Sequence, residues 1–258
     1  TARIESARPL PAVAEGEPGP IEQAIARHAA AYIEDGAILQ TGIGKIPVAI
    51  LATLTDRKGL GLHTGVVGDS LVDLLQAGAL TGDSHPMHPG RMVTGSLLGS
   101  ERLYRFADAN RAIAMAPVTE THDHRVLAAL PKLIALNSAL EADLTGQISA
   151  EVADGGAYLG TVGGQVDFVR GAMASPGGRS IIAFPSRTGR GAARIVPRIA
   201  SGVVTTARSD ADVIITEHGA AELRGVGLAE RVRRMIAIAH PDDREGLERQ
   251  AREVVAGI

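Results

Sequence analysis

The 258-residue sequence has no cysteine and no tryptophan, and aromatic residues make up 2% of it. Without thiols there is no disulfide, no thiolate nucleophile and no thiolate metal site. So few aromatics exclude the stacking platforms on which single-stranded nucleic acids lie. A formal charge of −3, with both signs scattered along the chain, leaves no basic stripe, which argues against nucleic acid and anionic membrane surfaces as partners. No apolar run is long enough to cross a bilayer, and the charged-then-apolar start of a signal peptide is missing. The expected location is therefore cytoplasmic. What is present is a 45% hydrophobic content, enough to bury the core of one large domain or two small ones.

Residues 1–19, ending in PAVAEGEPG, mix Pro, Gly and acidic residues without apolar periodicity and read as a linker or arm. The packed domain is expected over 20–258. IEQAIARHAAAYIEDG suits an amphipathic helix opened by Gly19-Pro20 and stopped near Gly36, and AILQ leads as a strand into the turn TGIGK and a further helix. In DSLVDLLQAG, Leu71, Leu74 and Leu75 share a helical face, and Ser70-x-x-Asp73 fits a capping box. Short apolar runs at 133–136, 181–184, 203–206 and 213–216 fit strands buried on both faces, and the tail from Leu228 is charged and helical. The fold class is thus α/β, an open, mostly parallel sheet with helices on both faces.

Two glycine clusters follow one plan. Gly42-Ile43-Gly44 lies between a strand and a helix, and Gly163-Gly164-Gln165 precedes a second helix. In such turns backbone N–H groups can approach a ligand, and the helix N-terminus favours negative charge. Tight packing alone is the competing explanation. A phosphate loop is excluded because no GK[ST] follows, and a dinucleotide fold because the third glycine and the distal acidic residue are absent.

Together with NSALEADLTGQ at 137–147, GGQVDFVRGA at 163–172, RIVP at 194–197 and VIITEHGAAELRG at 213–225, these clusters make the chain resemble the acetyl-CoA hydrolase/transferase family, which includes 4-hydroxybutyrate, acetate and butyrate CoA-transferases. The likeness runs from about Pro20 to the end and covers only the C-terminal half of such enzymes. PLPAVAEGEP is similar to their interdomain linker. The resemblance therefore implies a fragment, a cleaved product or one part of a split enzyme, its N-terminal domain supplied in cis or by a partner chain, and a homo-oligomer. It implies acyl-CoA and a small carboxylic acid as partners, with coenzyme A a substrate rather than a permanently bound cofactor. In the implied ping-pong reaction a glutamate attacks the thioester and passes through an anhydride to a glutamyl-CoA thioester. Backbone donors for the oxyanion would lie near Ile43 and at Gly163 or Gly164, and Gly42, Gly44, Asn137 and Gln165 would complete the substrate site. Loss of one such donor costs roughly 3–4 kcal/mol in transition-state stabilisation.

The family's nucleophile segment, H-[ST]-E-[MV]-x-x-D-G, is matched by His63-Thr64-Gly65-Val66-Val67-Gly68-Asp69-Ser70, so Gly65 stands in the glutamate position. Glycine offers no covalent chemistry. Three alternatives stay open: hydrolysis by a water activated by His63 or Asp69, use of another carboxylate with Glu141 the natural candidate, or a non-catalytic CoA-binding or regulatory subunit. Glu141 and Asp143 share a side of an extended segment, where they could shift each other's pKa or simply hold backbone N–H groups. The histidines at 85, 88, 122 and 124 with Asp123 lack the converging set a zinc site needs, and the prolines near His85 and His88 suggest a surface loop, so no metal is expected. Arg187, Arg190 and Arg194 could meet CoA phosphates or lie in a solvated loop. Lys45 and Val48, unlike the small and acidic residues of relatives, suggest an altered acyl pocket.

Overall fold

The computed structural model describes residues 5–152 and 156–255. Residues 1–4 of the expected arm and 256–258 of the expected domain lie outside them. Gly19-Pro20 open α1 (Pro20–Ala30) as anticipated, and the Glu22 carboxylate accepts the Gly19 N–H at 2.9 Å. The helix stops well before Gly36, because the Tyr32 and Ile33 amides turn back three residues to the Ala29 and Ala30 carbonyls and tighten the last turn.

Strands and helices then alternate: β1 (Ile38–Gln40), α2 (Lys45–Ala52), β2 (Gly61–Thr64), α3 (Ser70–Gln76), β3 (Met92–Thr94), α4 (Glu101–Ala107) and β4 (Ile113–Met115). Two short helices, α5 (Val118–Thr121) and α6 (His124–Ala129), lead to β5 (Leu133–Asn137). After β6 (Glu141–Asp143) and β7 (Ile148–Ser149) come α7 (Gln165–Ala174), β8 (Arg179–Ala183), β9 (Ile195–Val196), β10 (Val213–Thr216) and β11 (Gly219–Glu222). The tail is two helices, α8 (Leu228–Ile238) and α9 (Pro241–Val255), the second starting at a proline. Among the described residues no helix is long and apolar enough to cross a membrane.

The main sheet has the order β11-β10-β8-β5-β1-β2-β3-β4, parallel throughout except for the β10–β11 hairpin at one edge. Alternate side chains go to opposite faces. Ile134, Leu136, Ile181, Ala183, Val213 and Ile215 join one core with α1, α2 and α3, while Ile182 and Ile214 join another under α8 and α9. Leu133 and Ala135 pack on the same side as α6 and α7. Helices thus cover both faces, as a parallel sheet of continuous apolar strands requires.

Two features depart from expectation. The run at 203–206 is not a strand of the main sheet; the Thr205 and Thr206 amides donate to the Ile148 carbonyl (2.8 and 3.1 Å) and the Thr206 carbonyl accepts the Ile148 N–H (3.0 Å), close to a small second sheet of order β7-β6-β9. Ser70 is the first helical residue of α3 and not its cap: its N–H and hydroxyl donate to the Glu15 carboxylate at 3.0 and 3.3 Å. Glu15 belongs to the segment before α1, whose described residues 5–19 form no regular element and are pinned further by Val13 N–H to the Gly99 carbonyl (3.0 Å) and by the Tyr104 hydroxyl to the Pro11 carbonyl (2.7 Å).

Candidate functional site

From β1 the strand order runs through β2 and β3 to β4 on one side and through β5, β8 and β10 on the other, so the chain reverses its direction of winding between β1 and β5. In open α/β sheets that switch point opens a crevice beyond the carboxyl ends of the strands. Asn137 ends β5 there and its Nδ2 donates to Gln40 Oε1 at the end of β1 (3.0 Å). Thr64, ending β2, donates its hydroxyl to the Thr41 carbonyl at 2.7 Å. The first glycine turn springs from this place and opens α2 at Gly44. The second opens α7 at Gly164, and Gly163 has the left-handed φ of +54° that suits glycine. Neither helix has a side-chain cap, so the first amides of both lack intrahelical acceptors.

Gly65 follows β2 directly, half-buried, its carbonyl held by the Ser96 hydroxyl at 2.9 Å. The space in front of it belongs to His122. A Cβ on Gly65 would stand 2.8 Å from Cε1 and 3.0 Å from Nε2 of His122, and a Cβ on Gly164 would collide with Nε2 and Cδ2 of the same ring. The imidazole edge therefore lies between the end of β2 and the start of α7. The close approach leaves no room for a side-chain carbon at 65 or at 164, the second glycine of the Gly163-Gly164 pair. The sequence marks His122 only as one of four histidines without the converging set a metal needs. Nothing in its sequence context reveals the contact, because His122 meets Gly65 and Gly164 only once α5, β2 and α7 are packed together.

Residues 99–251 match the family model described as "Acetyl-CoA hydrolase/transferase C-terminal domain". The chain belongs to the acetyl-CoA hydrolase/transferase family. It is 39% identical over 95% of its length to the 4-hydroxybutyrate coenzyme A transferase of Clostridium kluyveri, covering 57% of that protein. It is 44% identical over 85% of its length to the succinyl-CoA:acetate/propanoyl-CoA:succinate CoA transferase of Fasciola hepatica, covering 46% of it. Among solved structures, RipA from Yersinia pestis superposes with a TM-score of 0.89 at 37% identity over 97% of this chain and 56% of that one. A 4-hydroxybutyrate CoA-transferase from Porphyromonas gingivalis does so with a TM-score of 0.84 at 37% identity over 95% and 58%. The chain spans about half the length of the curated relatives it matches.

In this acetyl-CoA hydrolase/transferase chain the other sequence-derived candidates are held by structural bonds. His63 is fully buried: its Nε2 donates to the Thr121 carbonyl (3.2 Å), and its Nδ1 faces His85 Nε2 (3.0 Å). His85 Nδ1 in turn accepts the His88 N–H at 3.1 Å. One set of neutral tautomers satisfies this whole relay, and burial pushes both His63 and His85 down to about 4. His63 has no ring nitrogen left for a water, and His85, expected in a surface loop, is fully buried. The Asp69 carboxylate is occupied by Ser100, accepting from its N–H at 2.7 Å and its hydroxyl at 2.6 Å.

Glu141 lies on the small second sheet beside a groove lined by Leu159, Arg190 and Arg194. Asp143 turns its buried carboxylate into the following turn, where it accepts from the Thr145 N–H and hydroxyl and from the Gln147 N–H and side-chain amide. That is the backbone-holding role rather than half of an acid pair. Gln165 donates to the Thr206 hydroxyl at 3.1 Å, tying the start of α7 to the 203–206 segment. Arg187 pairs with Asp243 (2.6 Å) and Asp242 (3.3 Å) of α9, and the aliphatic stem of Lys45 lies against Gly16 of the arm. Among the described residues no three or more His, Cys, Asp or Glu side chains group as metal ligands, and Asp123 instead caps α6.

Proposed function

We propose that this chain holds an acyl-CoA at the switch-point crevice, its thioester against the amides opening α2 and α7, in a reaction that passes CoA to a carboxylic acid or hydrolyses the thioester. The observations that support this reading are that Asn137 and Gln40 join the ends of β5 and β1 beside the Gly42–Gly44 turn, and that Gly65 at the end of β2 and Gly164 at the start of α7 face the same His122 ring. Relatives named for CoA transfer and, at 32% identity, an acetyl-CoA hydrolase of Kluyveromyces lactis support the reaction class. Residues 20–258 would form the C-terminal domain of such an enzyme and the preceding arm its interdomain linker, with the other half supplied in cis or by a partner chain and the whole assembled as a homo-oligomer.

The test is calorimetric titration of the purified protein with CoA and acetyl-CoA. Gly163→Val forces a β-branched residue into a left-handed backbone and should abolish binding. Gly163→Asn tolerates that backbone and separates a blocked amide turn from a misfolded one. Undiminished affinity in Gly163→Val, with circular dichroism unchanged, would remove the second glycine turn from the site.

A further inference from the structure

His122 is held in place through its backbone, its Nδ1 and one side of its ring. Its N–H donates to the Val118 carbonyl at 3.0 Å, closing α5. The next residue, Asp123, accepts from the Arg125 and Val126 amides and starts α6. Leu127 of α6 sits directly on Gly171 of α7, where any Cβ would collide with it, and this contact docks the α5–α6 pair onto α7. The ring then packs against Phe168 of α7, centroids 4.7 Å apart and planes tilted by 57°.

The hydrogen bonds of the ring have a direction. His122 Nδ1 lies 2.8 Å from Thr121 Oγ1, which is 3.4 Å from the Pro117 carbonyl. The arrangement that satisfies all three groups has Oγ1 donating to Pro117 and accepting from Nδ1–H, which leaves the lone pair on Nε2. Among the described residues no protein group bonds to Nε2, the atom that faces Gly65 and Gly164. Burial holds the ring below the usual histidine range, while the charge of Asp167 in the first turn of α7 acts the other way. Half-buried, the ring is within reach of a ligand.

We infer that His122 is the general base of a water-dependent thioester hydrolysis, its imidazole occupying the ground vacated by a side chain at Gly65. The inference rests on the acyl-CoA reading above. In the reaction, Nε2 takes a proton from a water whose oxygen adds to the thioester carbonyl carbon. The oxyanion is held by the amides at the start of α7. Collapse breaks the C–S bond, and the imidazolium returns its proton to the departing CoA thiolate. The products are the free carboxylic acid, which ionises, and CoA thiol, with water the only co-reactant. No carboxylate nucleophile is needed, in keeping with Gly65.

The protein in its full natural length is incubated with acetyl-CoA and butyryl-CoA in 18O-labelled water, with and without succinate, and thiol release, 18O in the product acid and intact protein mass are followed. The expected result is thiol release with 18O in the acid, no CoA adduct and no succinyl-CoA. The pH profile should lose activity as His122 protonates on its acid side. His122→Asn should fall by about 10²-fold or more with acetyl-CoA affinity kept, and free imidazole should restore part of the activity of His122→Ala. Hydrolysis that survives His122→Asn with an unchanged pH profile overturns the role of His122 while leaving acyl-CoA binding standing. A protein-bound CoA adduct, or binding without turnover of either thioester, overturns it likewise. If neither thioester binds, the acyl-CoA reading itself fails, and this inference falls with it.

Discussion

Replacing Gly65 by alanine isolates the contact between the end of β2 and His122. The backbone of Gly65 is not in the left-handed region, so alanine fits it, and by restricting the unfolded chain it should stabilise by about 0.4–1 kcal/mol. Against this, the new Cβ would lie 2.8 and 3.0 Å from the ring of His122, well inside ordinary contact. The ring cannot back away freely, with Nδ1 on Thr121 and one side on Phe168. Such overpacking costs typically 1–3 kcal/mol. The balance is a loss of about 1–2 kcal/mol, or roughly 3–6 °C in Tm for a domain of this size. In a His122→Ala background the clash is gone and the sign should reverse, Gly65→Ala becoming stabilising by about 0.4–1 kcal/mol. Scanning calorimetry on the four proteins of this double-mutant cycle reads the coupling directly. Equal shifts in both backgrounds would refute the placement of His122 against Gly65.

The neutral relay of His63 and His85 makes stability depend on pH. Both are lowered to about 4 when folded and titrate near 6.5 when unfolded, so the unfolded state binds more protons below pH 6.5. Their contribution is complete above that pH and is lost as pH falls towards 4, with a slope of at most about 1.4 kcal/mol per pH unit for each histidine. Urea midpoints at pH 7, 6 and 5 should decline, and less steeply in His85→Gln; a flat profile would rule out the relay. Arg187→Ala, which breaks a solvent-screened link to α9, should leave CoA affinity unchanged within about twofold by titration calorimetry; a tenfold loss would return Arg187 to the site. Asp143→Ala leaves buried N–H groups of the 144–147 turn unpaired, and a loss of about 2–3 kcal/mol is expected in denaturant titration; a neutral result would mean that the turn holds itself.

Much of the main sheet was legible because its strands are buried on both faces, which writes them as uninterrupted apolar runs. The runs at 133–136, 181–184 and 213–216 became β5, β8 and β10 for that reason. VVTT at 203–206 is β-branched throughout but half threonine; the Thr205 and Thr206 amides go to Ile148 of β7 and the Thr205 hydroxyl caps Ala150, so the segment serves the small sheet instead. The strands of that sheet are two or three residues long, too short for a period to show. The cap of α3 was misplaced because its partner, Glu15, is 55 residues away along the chain. The glycine turns were visible as punctuation between strand and helix. The contact between His122 and Gly65 was not, since it depends on two helices docking through Leu127 and Gly171. Local pattern finds what a segment does by itself and misses what one side chain does to another across the fold.

At the end of β2 the main chain is locked while the side chain is free of duty. Thr64 is bound to Thr41, and the Gly65 carbonyl is bound to Ser96, so the peptide at 65 holds its course through neighbours rather than through any side chain of its own. Residue 65 is in effect a socket. Any side chain plugged into it would meet the His122 ring within 2.8–3.0 Å of its Cβ, so the residue at 65 and the position of that imidazole cannot change independently.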